Sequence, residues 1–94
     1  MLYERKIDSF RALIVEARNM DADAGLRVLG TYDGRSSYVF VTRFGPTYTA
    51  MVYEKLPGAR AVGRRLEVME RLELKDLESL LKKLVPGRIT AFSY

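Results

Sequence analysis

Two turn signals, one strand's length apart, limit what this chain can fold into. Between Arg35 and Lys55 the sequence reads RSSYVFVTRFGPTYTAMVYEK, two alternating runs joined by Gly45-Pro46, and Asp33-Gly34 stands just before them. Asp-Gly suits the two-residue type I′ turn, whose twist matches a hairpin. A two-residue loop there pairs Thr31 with Ser36, Leu29 with Tyr38 and Arg27 with Phe40. A short turn at Gly45-Pro46 then sets Phe40 opposite Met51 and Tyr38 opposite Tyr53. Side chains along a strand point alternately to opposite faces, so this register sorts three strands at once. Leu26, Val28, Val39, Val41, Ala50 and Val52 share one face, small and aliphatic. Arg27, Tyr38, Phe40, Phe44, Met51, Tyr53 and Lys55 share the other, with Thr42, Thr47 and Thr49 among them.

The flanking sequence supplies the remaining layer. Residues 3–20 (YERKIDSFRALIVEARNM) repeat apolar residues at Ile7, Phe10, Leu13, Ile14, Ala17 and Met20, a single helical stripe. DADAG follows as a helix-to-strand turn with Gly25 as a left-handed stop; it lacks the third acid and distal Glu of a calcium loop. Residues 26–33 form the first strand, in which Gly30 leaves room for an approaching backbone or a bend. Residues 56–63 (LPGARAVG) form a basic loop containing Arg60, without the Lys and Ser/Thr of a P-loop. Residues 64–72 alternate as a fourth strand, with Leu66, Val68 and Leu72 toward the core and Arg65, Glu67, Met69 and Arg71 away. A helix is the rival reading there, since these residues are good helix formers. Residues 74–85 carry Leu74, Leu77, Leu80, Leu81 and Leu84 on one helical stripe, and Pro86-Gly87 ends that helix. Residues 88–94 close as a strand, with Thr90, Phe92 and Tyr94 on one side and Ile89 and Ala91 on the other.

The predicted fold is one α+β domain over residues 1–94, a two-layer sandwich with element order αββββαβ. Its antiparallel sheet has four to five strands in spatial order 5-1-2-3-4, with both helices on one face. The final strand–helix–strand unit calls for a right-handed crossover with its two strands parallel.

Composition narrows the chemistry. The chain has 94 residues and no Cys or His, which removes disulfides, thiolate metal sites and the commonest general base. Asp33, Glu54, Glu67 and Glu70 show no paired spacing and Ser36-Ser37 no adjacent base, so neither catalysis nor a metal or small-molecule cofactor is expected. There is no Gln and only Asn19, a bias of the kind seen in thermophile proteins. The start of the chain has no signal-peptide layout and no apolar run reaches membrane length, so a cytoplasmic protein with no membrane partner is expected. A net charge of +4 favours acidic partners, nucleic acid foremost.

The aromatic face raises the functional question. Bases stack on Tyr38, Phe40, Phe44, Met51 and Tyr53 in one reading, with Arg27, Arg43, Lys55 and Arg65 on phosphates; Phe92, Tyr94 and Arg71 extend the set. Alternation puts Arg43 on the opposite face, so it would act from the strand end. A second reading makes the face the interface of a homo-oligomer, a dimer or larger. A third closes it with a loop as a second core. The element order αβββα also occurs in double-stranded RNA-binding domains, but Lys75-Asp76-Leu77-Glu78 lacks their basic cluster. In size, helix-backed sheet, aromatic and basic strands from Tyr38 to Tyr53, and thermophile-like composition, the chain resembles the small archaeal single-stranded DNA-binding proteins of the ThermoDBP-related group. That resemblance implies sequence-tolerant binding of single-stranded nucleic acid, DNA before RNA, in an oligomer; the C-terminal leucine zipper of the long-form member has no counterpart here.

Overall fold

The computed structural model describes residues 4–58 and 61–94; Tyr3 and Arg60 lie outside the described residues. The elements are β1 (Arg5–Ile7), α1 (Phe10–Asn19), β2 (Gly25–Tyr32), β3 (Arg35–Phe44), β4 (Thr47–Lys55), β5 (Val62–Leu72), α2 (Leu74–Leu84) and β6 (Ala91–Ser93). One six-stranded antiparallel sheet has the order β1-β6-β2-β3-β4-β5. Each neighbouring pair is antiparallel, so β5 and β6, joined through α2, run in the same direction at a distance. The α+β sandwich and the neighbour order of the five long-predicted strands are as the sequence indicates.

The two hairpins hold the predicted register residue by residue: Arg27 faces Phe40, Leu29 faces Tyr38, Phe40 faces Met51 and Tyr38 faces Tyr53. Asp33 and Gly34 both take positive φ, 52° and 77°, the type I′ requirement. Gly45 at φ 59° followed by Pro46 makes the second two-residue turn.

The first strand of the sheet is a correction. Residues 5–7 are not the start of the helix but β1, paired with β6 through Lys6 and Phe92. Ile7 is buried in the strand, as the helical stripe also requires, so its spacing gives no warning. The helix begins where its first turn is capped: the Ser9 hydroxyl accepts the N–H of Ala12 at 3.1 Å. Gly25 is likewise not a helix stop. It opens β2, exchanging backbone hydrogen bonds with Tyr94, whose ring occupies the place a Cβ would take.

β5 begins at Val62, earlier than predicted, and its faces depart from simple alternation. Its pairing with β4 shifts between Tyr48 and Ala50, between Val52 and Tyr53, and between Tyr53 and Lys55. Each shift sets an extra β5 residue against the partner strand, a β-bulge that resets the alternation beyond it. Arg71, with φ 58°, sits in the first. Glu67 and Met69 consequently pair with Val52 and Ala50 on the helix side, and Val68 pairs with Met51 on the other, the reverse of the sequence reading. Leu66 and Leu72 do pack against the core.

That core gathers Leu13, Ile14 and Ala17 of α1 and Leu77, Leu81 and Leu84 of α2 over Val28, Val39, Val41 and Val52. At Gly30 the C-terminal carbonyl of α2, from Leu84, would lie 2.8 Å from a Cβ, so the close approach needs glycine. The far end of α1 is held from the sheet. The Tyr48 hydroxyl donates to the Ala17 carbonyl at 2.7 Å, and Arg43 donates to the carbonyls of Arg18 (2.9 Å) and Met20 (3.2 Å). A cation among the last carbonyls of a helix also opposes the negative end of its dipole. α2 begins with the Glu73 backbone N–H donating to Asp76 at 3.2 Å.

Across the helix side, the Tyr32 hydroxyl donates to Glu67 at 2.9 Å. This bond, then burial and the charges of Glu67 and Asp33, raise the phenol above its usual 10.0. The folded-state value lies above the unfolded one, so the contribution is whole below the unfolded value and fades as pH rises through the folded one. Thermal melts of the parent and Tyr32→Phe at about pH 8 and about pH 12 should show a gap that closes at the alkaline end. A gap that stays constant would remove the hydrogen bond as its source.

Candidate functional site

Both helices lie on the valine side, and period-two alternation turns the other side chains of β2, β3 and β4 to the opposite face. Paired residues build rows across that face. One runs Lys6, Phe92, Arg27, Phe40, Met51 and Val68, each the Cα partner of the next. The adjacent row runs Leu29, Tyr38, Tyr53 and Arg65. Phe40 and Tyr53 meet edge to face, with centroids 5.6 Å apart and planes at 82°. Tyr38 and Phe40 are tilted at 6.0 Å.

The predicted stacking residues differ in access. Phe40, Met51 and Tyr53 are half-buried, with part of each side chain presented to solvent. Phe44, at the Gly45-Pro46 hairpin, is 82% exposed and stands apart from the cluster. Tyr38 is only 3% exposed although it faces away from the helices. It lies between cations: the Arg27 guanidinium carbon is 5.2 Å from its ring centroid and the Lys55 ammonium 6.0 Å.

The basic residues differ as much. Lys55 and Arg65 are exposed at the margin of the face. Arg43 is on the helix side, where its guanidinium caps α1, bonds the Gly45 carbonyl at 2.9 Å and covers the Tyr48 ring at 5.4 Å. Arg27 is central and inward. Its guanidinium is sandwiched between Tyr38 and Phe92, 4.5 Å from the latter, and donates through Nη2 (2.8 Å) and Nε (3.3 Å) to Glu4. Arg71 is exposed in the β5 bulge beside Glu70, in a hollow with Thr42, Phe44 and Thr49. A shallow hollow of about 330 Å³ at the Thr31 end of the face includes Leu29, Ser36, Lys55 and Arg88.

Sequence reasoning missed three residues here. Their spacing in the sequence puts Lys6 and Glu4 in a helix and Val68 in the core. Arg5, Lys6 and Ile7 show no alternation that could have found Lys6. Tyr94, at the end of the face, has its phenol raised by burial, with Arg27 pulling it down and Glu4 pushing it up.

No family model, curated protein or solved structure matches this chain. Among the described residues no helix is long and apolar enough to cross a membrane.

Proposed function

We propose that the uncovered sheet face binds single-stranded nucleic acid, DNA before RNA, with little sequence preference. The observation that carries this is the half-buried row of Phe92, Phe40 and Met51 with Tyr53 beside it, on a face neither helix covers, edged by Lys6, Lys55 and Arg65. Aromatic side chains stack on any base, and a basic margin holds phosphates without reading sequence. Duplex DNA keeps its bases stacked inside and offers this platform only its backbone. Neither catalysis nor a small-molecule cofactor enters the reading, and a cytoplasmic setting accords with it. Fluorescence anisotropy with labelled oligo(dT), oligo(U) and duplex DNA at two salt concentrations tests it. Single strands should bind, and each cation meeting a phosphate should add roughly 0.7 to the salt slope. No single-strand binding at low salt, or equal binding of duplex, defeats the proposal.

The same face supports a second reading as a homo-oligomer interface, favoured by the continuity of Phe40, Met51 and Val68 across three strands. The two are compatible where subunits enclose a strand between them. Light scattering of the 10.8 kDa chain separates them, since a monomer at high concentration removes the interface.

A further inference from the structure

We propose that Arg27 is a phosphate position closed by Glu4 in the free protein, and that a single strand opens it by exchanging a phosphate oxygen for the Glu4 carboxylate. The inference rests on the single-strand reading of this face and says how its central cation takes part. Arg27 sits mid-row between Phe92 and Phe40, where a strand crossing the stacked residues would run its backbone. Its fork is already engaged by an anion: one carboxylate oxygen of Glu4 accepts from both Nη2 and Nε. Guanidinium forks take carboxylates and phosphates by the same geometry, so that oxygen marks where a phosphate oxygen would sit.

Two further features make exchange feasible. The guanidinium lies over the rings of both Phe92 and Tyr38, contacts that do not involve Glu4. A fork fixed in advance loses little freedom when its anion changes. Glu4, by contrast, lies just outside β1, a strand held by Ile7 in the core, by Arg5 on Glu16 and by its pairing with β6. Its side chain can therefore turn away from Arg27 without β1 leaving the sheet. As the structure stands, the Arg27 and Glu4 side chains are 11% and 16% exposed. The Nε and Nη2 donors of Arg27 can therefore take a phosphate oxygen only if Glu4 leaves, and a carboxylate left in place would repel a strand lying along this row.

The test is a double-mutant cycle on oligo(dT) anisotropy with Glu4→Gln, Arg27→Met and the two combined. Glu78→Gln, on α2 across the sheet, controls for the same change in net charge. Glu4→Gln should tighten binding by about tenfold, Glu78→Gln by less than about twofold, and the gain should vanish when Arg27 is Met. Binding by the parent with no gain in Glu4→Gln over the control, or a gain that survives loss of Arg27, overturns the exchange alone. Failure of both parent and Glu4→Gln to bind overturns the single-strand reading and the exchange with it. Should Glu4→Gln fail to fold, the Arg27 Nε–H resonance of the parent decides: it should move on titration with oligo(dT), and a resonance that stays still while the strand binds refutes the exchange.

Discussion

An alanine at Leu81 should lower the stability of this fold by about 2–5 kcal/mol in a denaturant melt, the cost of a large core truncation plus the cavity it leaves. Leu81 is fully buried between Leu77 and Leu84 on the one stripe that seats α2 on the sheet. The core it shares with Val28, Val39 and Val52 is rich in β-branched side chains, which have few rotamers available to refill the space. Domains of this size hold about 5–15 kcal/mol in total, so the variant should be near the edge of folding. Lys75→Ala, exposed on the same helix, should melt with the parent. A loss below about 1 kcal/mol at Leu81 would mean that α2 is not anchored as described.

Phe40→Ala should weaken single-strand binding by roughly 1–3 kcal/mol with the salt slope unchanged, and Tyr53→Ala should do the same. Their rings lie edge to face in adjacent rows, so removing either also takes away a neighbour of the other, and the double variant should show non-additivity. Arg65→Ala should behave differently, weakening binding while reducing the salt slope by roughly 0.7. Stacking and phosphate contacts thus leave separate signatures. Light scattering must accompany Phe40→Ala, because the same ring would lie in an oligomer interface. Variants at Phe40 and Tyr53 that are folded and bind like the parent would remove the stacking role.

What could be read from sequence follows from how local the determinants are. The β2–β3–β4 register was legible because each turn has two residues, Asp33-Gly34 and Gly45-Pro46, and a short turn leaves no room for a slip. The valine core followed directly. β1 was not legible: three residues have no intrinsic preference strong enough to declare a strand, and it exists because β6 offers it an edge. The faces of β5 were hidden by bulges, and Arg71 carries no residue-level sign of its positive φ. On the candidate site, sequence placed Tyr38 and Arg27 on the aromatic face but could not show how inward they sit. For Arg27 that involves Glu4, met across 23 positions of chain, a contact with no local signal. Arg43 was placed on the helix side by alternation, and the carbonyls of α1 it satisfies there are a tertiary matter.

The central claim is that single strands bind on the uncovered face, and methyl NMR tests it most directly. Met51 and Val68 report from that face, Val15 and Leu80 from the helix layer. Titration with oligo(dT) should shift the Met51 and Val68 methyl resonances while those of Val15 and Leu80 stay in place. Shifts confined to Val15 and Leu80, with Met51 and Val68 unmoved, would contradict the account.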